Sequence, residues 1–161
     1  MGEFVSLLSN SENETDEIGR KLASVLQPGI TIALDGELGS GKTRFVRAIC
    51  DGLGVSDELV NSPTFVLMQS YTSGRLPVFH FDTYRLGDVD EFLAIGAEEY
   101  LTSESSICLV EWAEIVESVL PVDRLQIRIT QTGAQSRTFK IAASGPSSQS
   151  VLAGLTALIA P

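Results

Sequence analysis

Residues Gly36-Glu37-Leu38-Gly39-Ser40-Gly41-Lys42-Thr43 decide how this chain is read. They fit G-x-x-x-x-G-K-[ST], a loop that cradles phosphate groups. Ile30-Thr31-Ile32-Ala33-Leu34 before them is an apolar run of strand length, and Arg44 to Leu53 after them has helical spacing. A strand, a glycine-rich turn and a helix N-terminus together bring several unpaired backbone N–H groups to one point. Those groups and the helix dipole both favour negative charge there. Glycine at 36, 39 and 41 lets the chain wrap closely without Cβ clashes. Lys42 is then placed to reach the β- and γ-phosphates, and the Thr43 hydroxyl to ligate Mg²⁺. The plainer alternative is a glycine-rich turn that happens to precede a lysine; the strand before it and the helix after it argue against that. Glu37 through Arg44, that is Glu37, Leu38, Gly39, Ser40, Gly41, Lys42, Thr43 and Arg44, are the expected nucleotide contacts.

At 161 residues the expectation is one domain with a sizeable core. Hydrophobic residues make up 43% and charged residues 20%, the balance of an ordinary globular protein. No apolar run approaches the roughly 18 residues that span a bilayer, and Met1 to Ser9 has neither the basic start nor the apolar stretch of a signal peptide. A cytoplasmic protein without a membrane role is expected. Cys50 and Cys108 match no metal-ligand spacing and read as buried free thiols. A net charge of −10 opposes direct binding to bare nucleic acid, which would gain little from counterion release. A local basic face around Arg44 and Arg47 is the one exception the sequence allows.

Outward from the loop, Asn10 to Leu26 reads as a helix capped by Ser11 or Asn13, with Ile18, Leu22, Val25 and Leu26 on its apolar stripe. Phe65 to Tyr71 and Leu76 to Asp82 read as two strands of a hairpin, which departs from strict βαβ alternation. Short helices follow over Asp88 to Leu93 and Ala97 to Leu101. Ser106 to Val110 is continuously apolar, as suits a central strand covered on both faces. A helix over Val116 to Leu120, alternating strands over Asp123 to Thr130 and Arg137 to Ala142, and a last helix over 148–160 complete the reading. The predicted fold is α/β, a P-loop NTPase-like three-layer sandwich with a mixed, mostly parallel sheet and an antiparallel portion.

Phosphate chemistry on such a loop needs an acid at a neighbouring strand end to hold the metal shell. Glu111 ends the uniformly apolar Ile107-Cys108-Leu109-Val110 and is the favoured candidate; Asp82, after Val78-Phe79-His80-Phe81, is the second. Each also has the simpler reading of an acid at a helix N-terminus. Thr64, in Ser62-Pro63-Thr64, stands where a switch segment would present a hydroxyl to metal or phosphate, or it merely starts a strand. His80, the only histidine, shares a period of two with Asp82 and Tyr84, so it is either structural or part of that group. Trp112 reads as a core or interface residue, with stacking at the site's edge as the alternative; Arg137 reads as a solvated strand charge, with a contact to phosphate as the alternative. Lys42, Thr64, Asp82 and Glu111 are the expected catalytic set; Thr43, Glu111 and Asp82 are the expected metal ligands.

Four blocks occur in order: the loop at 36–43, Ser62-Pro63-Thr64-Phe65, His80-Phe81-Asp82-Thr83-Tyr84-Arg85-Leu86 and Leu109-Val110-Glu111-Trp112. Together with Ile95-Gly96-Ala97-Glu98-Glu99-Tyr100-Leu101 they resemble the TsaE (YjeE) family of bacterial P-loop ATPases, over roughly residues 10–142. The loop alone indicates an NTPase; H-x-D-x-Y-R-L followed by V-E-W narrows it. The resemblance implies a cytoplasmic protein that binds ATP with Mg²⁺ and hydrolyses it weakly alone. It implies support for threonylcarbamoylation of the adenosine beside the anticodon in tRNAs reading ANN codons. The transfer itself would fall to TsaD with TsaB, with tRNA met only through those partners, and ATP hydrolysis would reset that pair. Arg44 departs from the family, where a second Thr is common. The family also places the helix start around Ser11 to Thr15 near the adenine.

Two rivals stand beside this reading. A small-molecule P-loop kinase would carry an arginine-rich lid, for which Arg75 and Arg85 are too isolated. A non-catalytic adaptor would use ATP only to order a binding face; Glu111→Ala against Lys42→Ala separates it from an ATPase.

Overall fold

Thr31-Ile32-Ala33-Leu34-Asp35 forms β2, a strand buried at every position, and the molecule is assembled on either side of it. The computed structural model describes residues 3–56, 60 and 67–159. Parallel neighbours pair with β2 on both sides: β5 (Ile107–Glu111), itself buried throughout, and β6 (Leu125–Gln131). A strand buried on both faces needs no alternation, which is why β2 and β5 read as continuous apolar runs. Outside β5 lies β4 (Val78–Asp82), parallel to it, then β3 (Met68–Tyr71), antiparallel to β4. Outside β6 come β7 (Arg137–Ala143) and β1 (Glu3–Ser9), each antiparallel to its neighbour. The seven-stranded order is β1-β7-β6-β2-β5-β4-β3. The sheet is mixed as expected, with four parallel strands at the centre and antiparallel additions at both ends.

Helices cover both faces, giving three layers. On one face α1 (Glu12–Val25) packs on α2 (Lys42–Gly52) and on α5 (Pro146–Ile159). Leu22, Phe45, Ile49, Leu125, Phe139 and Leu155 belong to this larger core. On the other face α3 (Val89–Ala94), α4 (Ala97–Leu101) and a 3₁₀ segment (Ala113–Val119) cover β4, β5 and β2 around Phe81, Phe92 and Val110. Each fully buried Leu, Ile or Phe contributes about 1.5–3 kcal/mol relative to exposure, so the two clusters hold the layers together. Ser11 caps α1, its Oγ accepting from Glu14 N at 3.1 Å. Asp88 caps α3 by accepting from Glu91 N at 3.0 Å.

Two elements differ from expectation. The strand β1 was not foreseen, and the helix expected over Val116 to Leu120 is a 3₁₀ segment starting at Ala113 with a kink at Val116. Phe65 and Val66 of the first hairpin strand lie outside the described residues, as does the Ser62-Pro63-Thr64 block. Both cysteines are buried free thiols, and burial pushes Cys108 up to about 12. Among the described residues no helix is long and apolar enough to cross a membrane.

Candidate functional site

The C-terminal ends of β2, β5 and β4 and the N-terminus of α2 meet at one cavity of about 340 Å³. That is the crevice in which open α/β sheets hold ligands. Gly36 follows β2 at φ 158°, and a Cβ there would sit 2.5 Å from the Ile129 carbonyl oxygen and from Ser40 Oγ. Gly41 takes φ 102° as the residue before α2. No side chain caps α2, so the backbone N–H groups of its first turn have no intrahelical partner and face the loop. A glycine-bearing turn thus joins β2 to α2 at the place where the sequence puts it.

Lys42 is 5% exposed, and its Nζ donates to the carbonyls of Gly36 (2.6 Å) and Glu37 (3.0 Å). The Trp112 ring lies over the same ammonium, 3.8 Å from its centroid. Burial lowers the Lys42 pKa below its ordinary value; the negative charges of Glu111, Asp82 and Asp35 oppose that shift. This ammonium is thus held inside the curl of the loop, with weak neutral acceptors that a phosphate oxygen outcompetes.

Glu111, 2% exposed, ends β5 directly opposite Leu34 of β2 on one side and Asp82 of β4 on the other. Thr43 Oγ1 donates its proton to Glu111 Oε1 at 2.9 Å. That bond commits the hydroxyl hydrogen and leaves the oxygen lone pairs available to a cation. His80, fully buried, places Nε2 2.5 Å from Glu111 Oε2 and Nδ1 3.0 Å from the Tyr71 hydroxyl. Asp82, 3% exposed, lines the cavity and accepts from Tyr84 N at 2.9 Å. Of the four expected catalytic residues, Lys42, Asp82 and Glu111 come together; Thr64 lies outside the described residues. Thr43, Glu111 and Asp82, the expected metal ligands, share the cavity wall. Among the described residues no three His, Cys, Asp or Glu side chains form a metal cluster by themselves. Hard oxygen donors from one hydroxyl and one or two carboxylates suit Mg²⁺, which keeps waters and takes its other ligands from phosphates.

The backbone turns sharply after Glu111. Trp112 adopts φ 58° and ψ 41°, a left-handed conformation that costs a bulky residue about 1–3 kcal/mol. Thr83 holds the turn, its Oγ1 donating to the carbonyls of Trp112 (2.6 Å) and Glu111 (3.1 Å). Asp35 holds it from the β2 side, accepting from Glu114 N at 3.0 Å and Gln126 Nε2 at 2.6 Å. Burial raises the Asp35 pKa, an effect that the hydrogen bond from Glu114 partly offsets. The strain puts the indole over Lys42 and 4.8 Å from the Tyr84 ring.

Other charges fall differently from expectation. Arg44 pairs with Asp16 (2.9 Å) and Glu12 (3.1 Å), which neutralises its part of the expected basic face, while Arg47 Nε donates to the Val60 carbonyl. Arg137 is tied to the loop itself: its Nε donates to the Ser40 carbonyl at 2.8 Å. Arg75 donates to the carbonyls of Ala23 and Leu26 at the end of α1, away from the cavity, whereas Arg85 lines it. Sequence reasoning missed Asp35, took Arg137 by default for a solvated strand charge, and gave Arg85 no role of its own. Asp35 alone carried a local signal, an acid at the end of an apolar strand, masked by the glycine loop that follows it.

Comparison with known proteins agrees with this fold. The family profile described as "Threonylcarbamoyl adenosine biosynthesis protein TsaE" matches residues 9–139. The tRNA threonylcarbamoyladenosine biosynthesis protein TsaE of Bacillus subtilis is 42% identical over 132 residues, covering 82% of this chain and 81% of that protein. Its counterpart in Treponema pallidum is 36% identical over 135 residues, covering 84% and 98%. The crystal structure of Bacillus subtilis YdiB superposes with a TM-score of 0.78 at 30% identity, covering 98% of this chain and 97% of that one. With the phosphate loop, the strand-end acids and the V-E-W turn in one cavity, the chain belongs to the TsaE family.

Proposed function

We propose that this protein is a cytoplasmic, ATP-binding and weakly ATP-hydrolysing subunit of the machinery that installs threonylcarbamoyl on the adenosine beside the anticodon in ANN-reading tRNAs. In this reading it resets the TsaB–TsaD transferase pair between turnovers. The observation that carries the ATPase part is the bond from Thr43 Oγ1 to Glu111 Oε1 at 2.9 Å beside the buried Lys42. The tRNA part rests on the names borne by the relatives.

Glu37 to Arg44 hold the phosphates through backbone N–H groups and the Lys42 ammonium. Thr43 and Glu111 hold Mg²⁺, with Asp82 beside them. The metal, when bound, neutralises charge on the β- and γ-oxygens. Asp82 and Glu111 end adjacent strands in register and line the same cavity, so both carboxylates would stand beside a nucleotide bound there. One of them orients the attacking water, with Thr64 as the switch-segment hydroxyl. Surface charge is consistent with tRNA being handled by the partners: the net charge is −10, and Arg44 is paired with acids. A kinase reading keeps a single arginine for its lid, because Arg75 is engaged at the end of α1 and Arg85 alone of the two lines the cavity.

Reconstituted tRNA modification under multiple turnover, with TsaB, TsaD and ATP, tests this. Product is expected to stop near one round without this protein and to continue with it. Lys42→Ala should lower nucleotide affinity by about 100-fold, the weight of one strong charge-assisted bond. Glu111→Ala should still bind ATP yet fail to sustain turnover. Sustained turnover by Glu111→Ala would replace hydrolysis with a nucleotide-sensing role, and no response to this protein would refute the assignment.

A further inference from the structure

His80 is a buried polar side chain at the site to which the functional reading gives no task. It lies on β4, two residues before Asp82, and is completely enclosed. Its ring bridges two groups: Nδ1 meets the Tyr71 hydroxyl at 3.0 Å, and Nε2 meets Glu111 Oε2 at 2.5 Å. A carboxylate oxygen only accepts, so Nε2 carries the hydrogen and donates it. Tyr71 is anchored in turn, its hydroxyl 2.7 Å from Gln69 Oε1. Gln69, Tyr71 and His80 come from the two strands of one hairpin, with Gln69 and His80 directly paired. A chain of three side chains therefore runs from the sheet edge to the rear oxygen of Glu111.

The opposite oxygen faces the loop, where Thr43 donates to it. A glutamate has three rotatable bonds, and its carboxylate plane is set only by what its two oxygens accept. Thr43 alone leaves that plane free to swing about the single contact; His80 removes the freedom by fixing the other oxygen from behind. Hydrogen-bonded outer partners of this kind orient metal-binding carboxylates.

We propose that His80 is a positioning residue that holds the Glu111 carboxylate in the plane needed to couple Mg²⁺ to nucleotide binding. The inference rests on the ATP-and-Mg²⁺ reading above. It places His80 outside direct contact with the nucleotide and gives it no part in proton transfer. Its effect is confined to the metal side of the site. Binding that needs only Lys42 and the loop N–H groups does not depend on it.

The test is calorimetric titration of ADP into the full chain, once with excess Mg²⁺ and once with chelator, for wild type, His80→Phe, His80→Gln and Tyr71→Phe. The readout is the ratio of the two affinities. His80→Phe keeps a ring of similar size but no donor. Its ratio is expected to fall by about 10- to 100-fold, while binding in chelator stays within about twofold of wild type. His80→Gln, whose amide can return a donor to Oε2, should recover most of the ratio. Should His80→Phe fail to fold, Tyr71→Phe carries the test with a smaller fall of several-fold. An unchanged ratio in His80→Phe or, where that variant does not fold, in Tyr71→Phe overturns the proposal. So does an equal loss with and without Mg²⁺, which would make His80 a general packing residue. A wild-type ratio near one would instead refute the Mg²⁺ reading on which the proposal stands.

Discussion

Arg137 acts on the glycine loop between β2 and α2 from behind. Its guanidinium donates from Nε to the Ser40 carbonyl at 2.8 Å and from Nη1 to the Ser136 carbonyl at 2.9 Å. The loop is therefore braced against the start of β7 at the point where Gly41 turns into α2. Arg137→Gln is expected to weaken ADP binding about tenfold, the equivalent of one charge-assisted hydrogen bond of roughly 1.4 kcal/mol. Calorimetric titration checks it, and unchanged affinity would mean the brace is idle. Lysine is not an adequate replacement, because it lacks the planar fork that spans both carbonyls. Nothing local in the sequence announces this role. Arg137 and Ser40 are distant in the chain and meet only because β7 lies next to β6, which lies next to β2. The position of Glu111 in the cavity wall, by contrast, was legible, since it follows from an apolar strand that ends in an acid. Trp112 was misjudged: its expected core or interface role gives way to a place in the cavity wall over Lys42, and its left-handed backbone is held by Thr83 and Asp35, which no spacing rule connects to it.

At the scale of elements, α5 shows how a helix is fixed by a residue outside it. Asp123, just before β6, accepts from Ser147 N at 2.8 Å and Ser148 N at 2.9 Å. Those two N–H groups belong to the first turn, which Pro146 opens with a preset φ and no N–H to satisfy. Burial alone would push the Asp123 carboxyl up; the hydrogen bonds from Ser148 and Ser147 outweigh it and hold the pKa below its usual 3.8. The sign follows from linkage. A carboxyl depressed on folding contributes stability that is complete above its unfolded value and is lost as pH falls through its folded one. Asp123→Ala should cost about 0.5–2 kcal/mol at pH 7, as losing a helix cap does. The difference between variant and wild type should shrink once pH drops below 3.8. Urea unfolding at several pH values measures both. Helices with local caps, such as α1 behind Ser11, were readable within a residue or two. The strand β1 was not, because Phe4, Val5, Leu7 and Leu8 put apolar groups on both faces and erase the alternation that marks a half-buried strand.

Across the whole molecule, the layer beneath the phosphate loop depends on how closely α1 approaches α2. A Cβ on Gly19 would fall 2.4 Å from Ala48 Cβ, and one on Gly52 would fall 2.6 Å from Ala23 Cβ. The two helices thus touch backbone to side chain at both ends of their contact, which places the α2 N-terminus at a fixed depth over β2. Gly19→Ala forces the pair apart. A loss of about 1–3 kcal/mol is expected from overpacking, a fall in melting temperature on the order of 5 °C for a chain this size. Thermal unfolding reads it directly, and an unchanged midpoint would show that the helices separate at no cost. The architecture at this scale was largely legible: a phosphate loop between a buried strand and a helix, then a second buried strand with an acid, implies a layered α/β sheet. The antiparallel extension through β7 to β1 was legible only in its β6–β7 half.

That extension bears on how the chain is made. The strand β1 pairs along its whole length with β7, from Glu3 opposite Ala143 to Ser9 opposite Arg137. A chain synthesised at roughly 5–20 residues per second delivers β1 on the order of ten seconds before its partner. Throughout that interval Phe4 and Leu8 have no native strand beside them, and the segment is exposed to capture by other nascent chains or by chaperones. The P-loop strand and α2 emerge early, but their sheet is complete only after β5, β6 and β7 follow. Closure of the β1 edge therefore waits until β7 has been made, and one short strand ties residues 3–9 to residues 137–143.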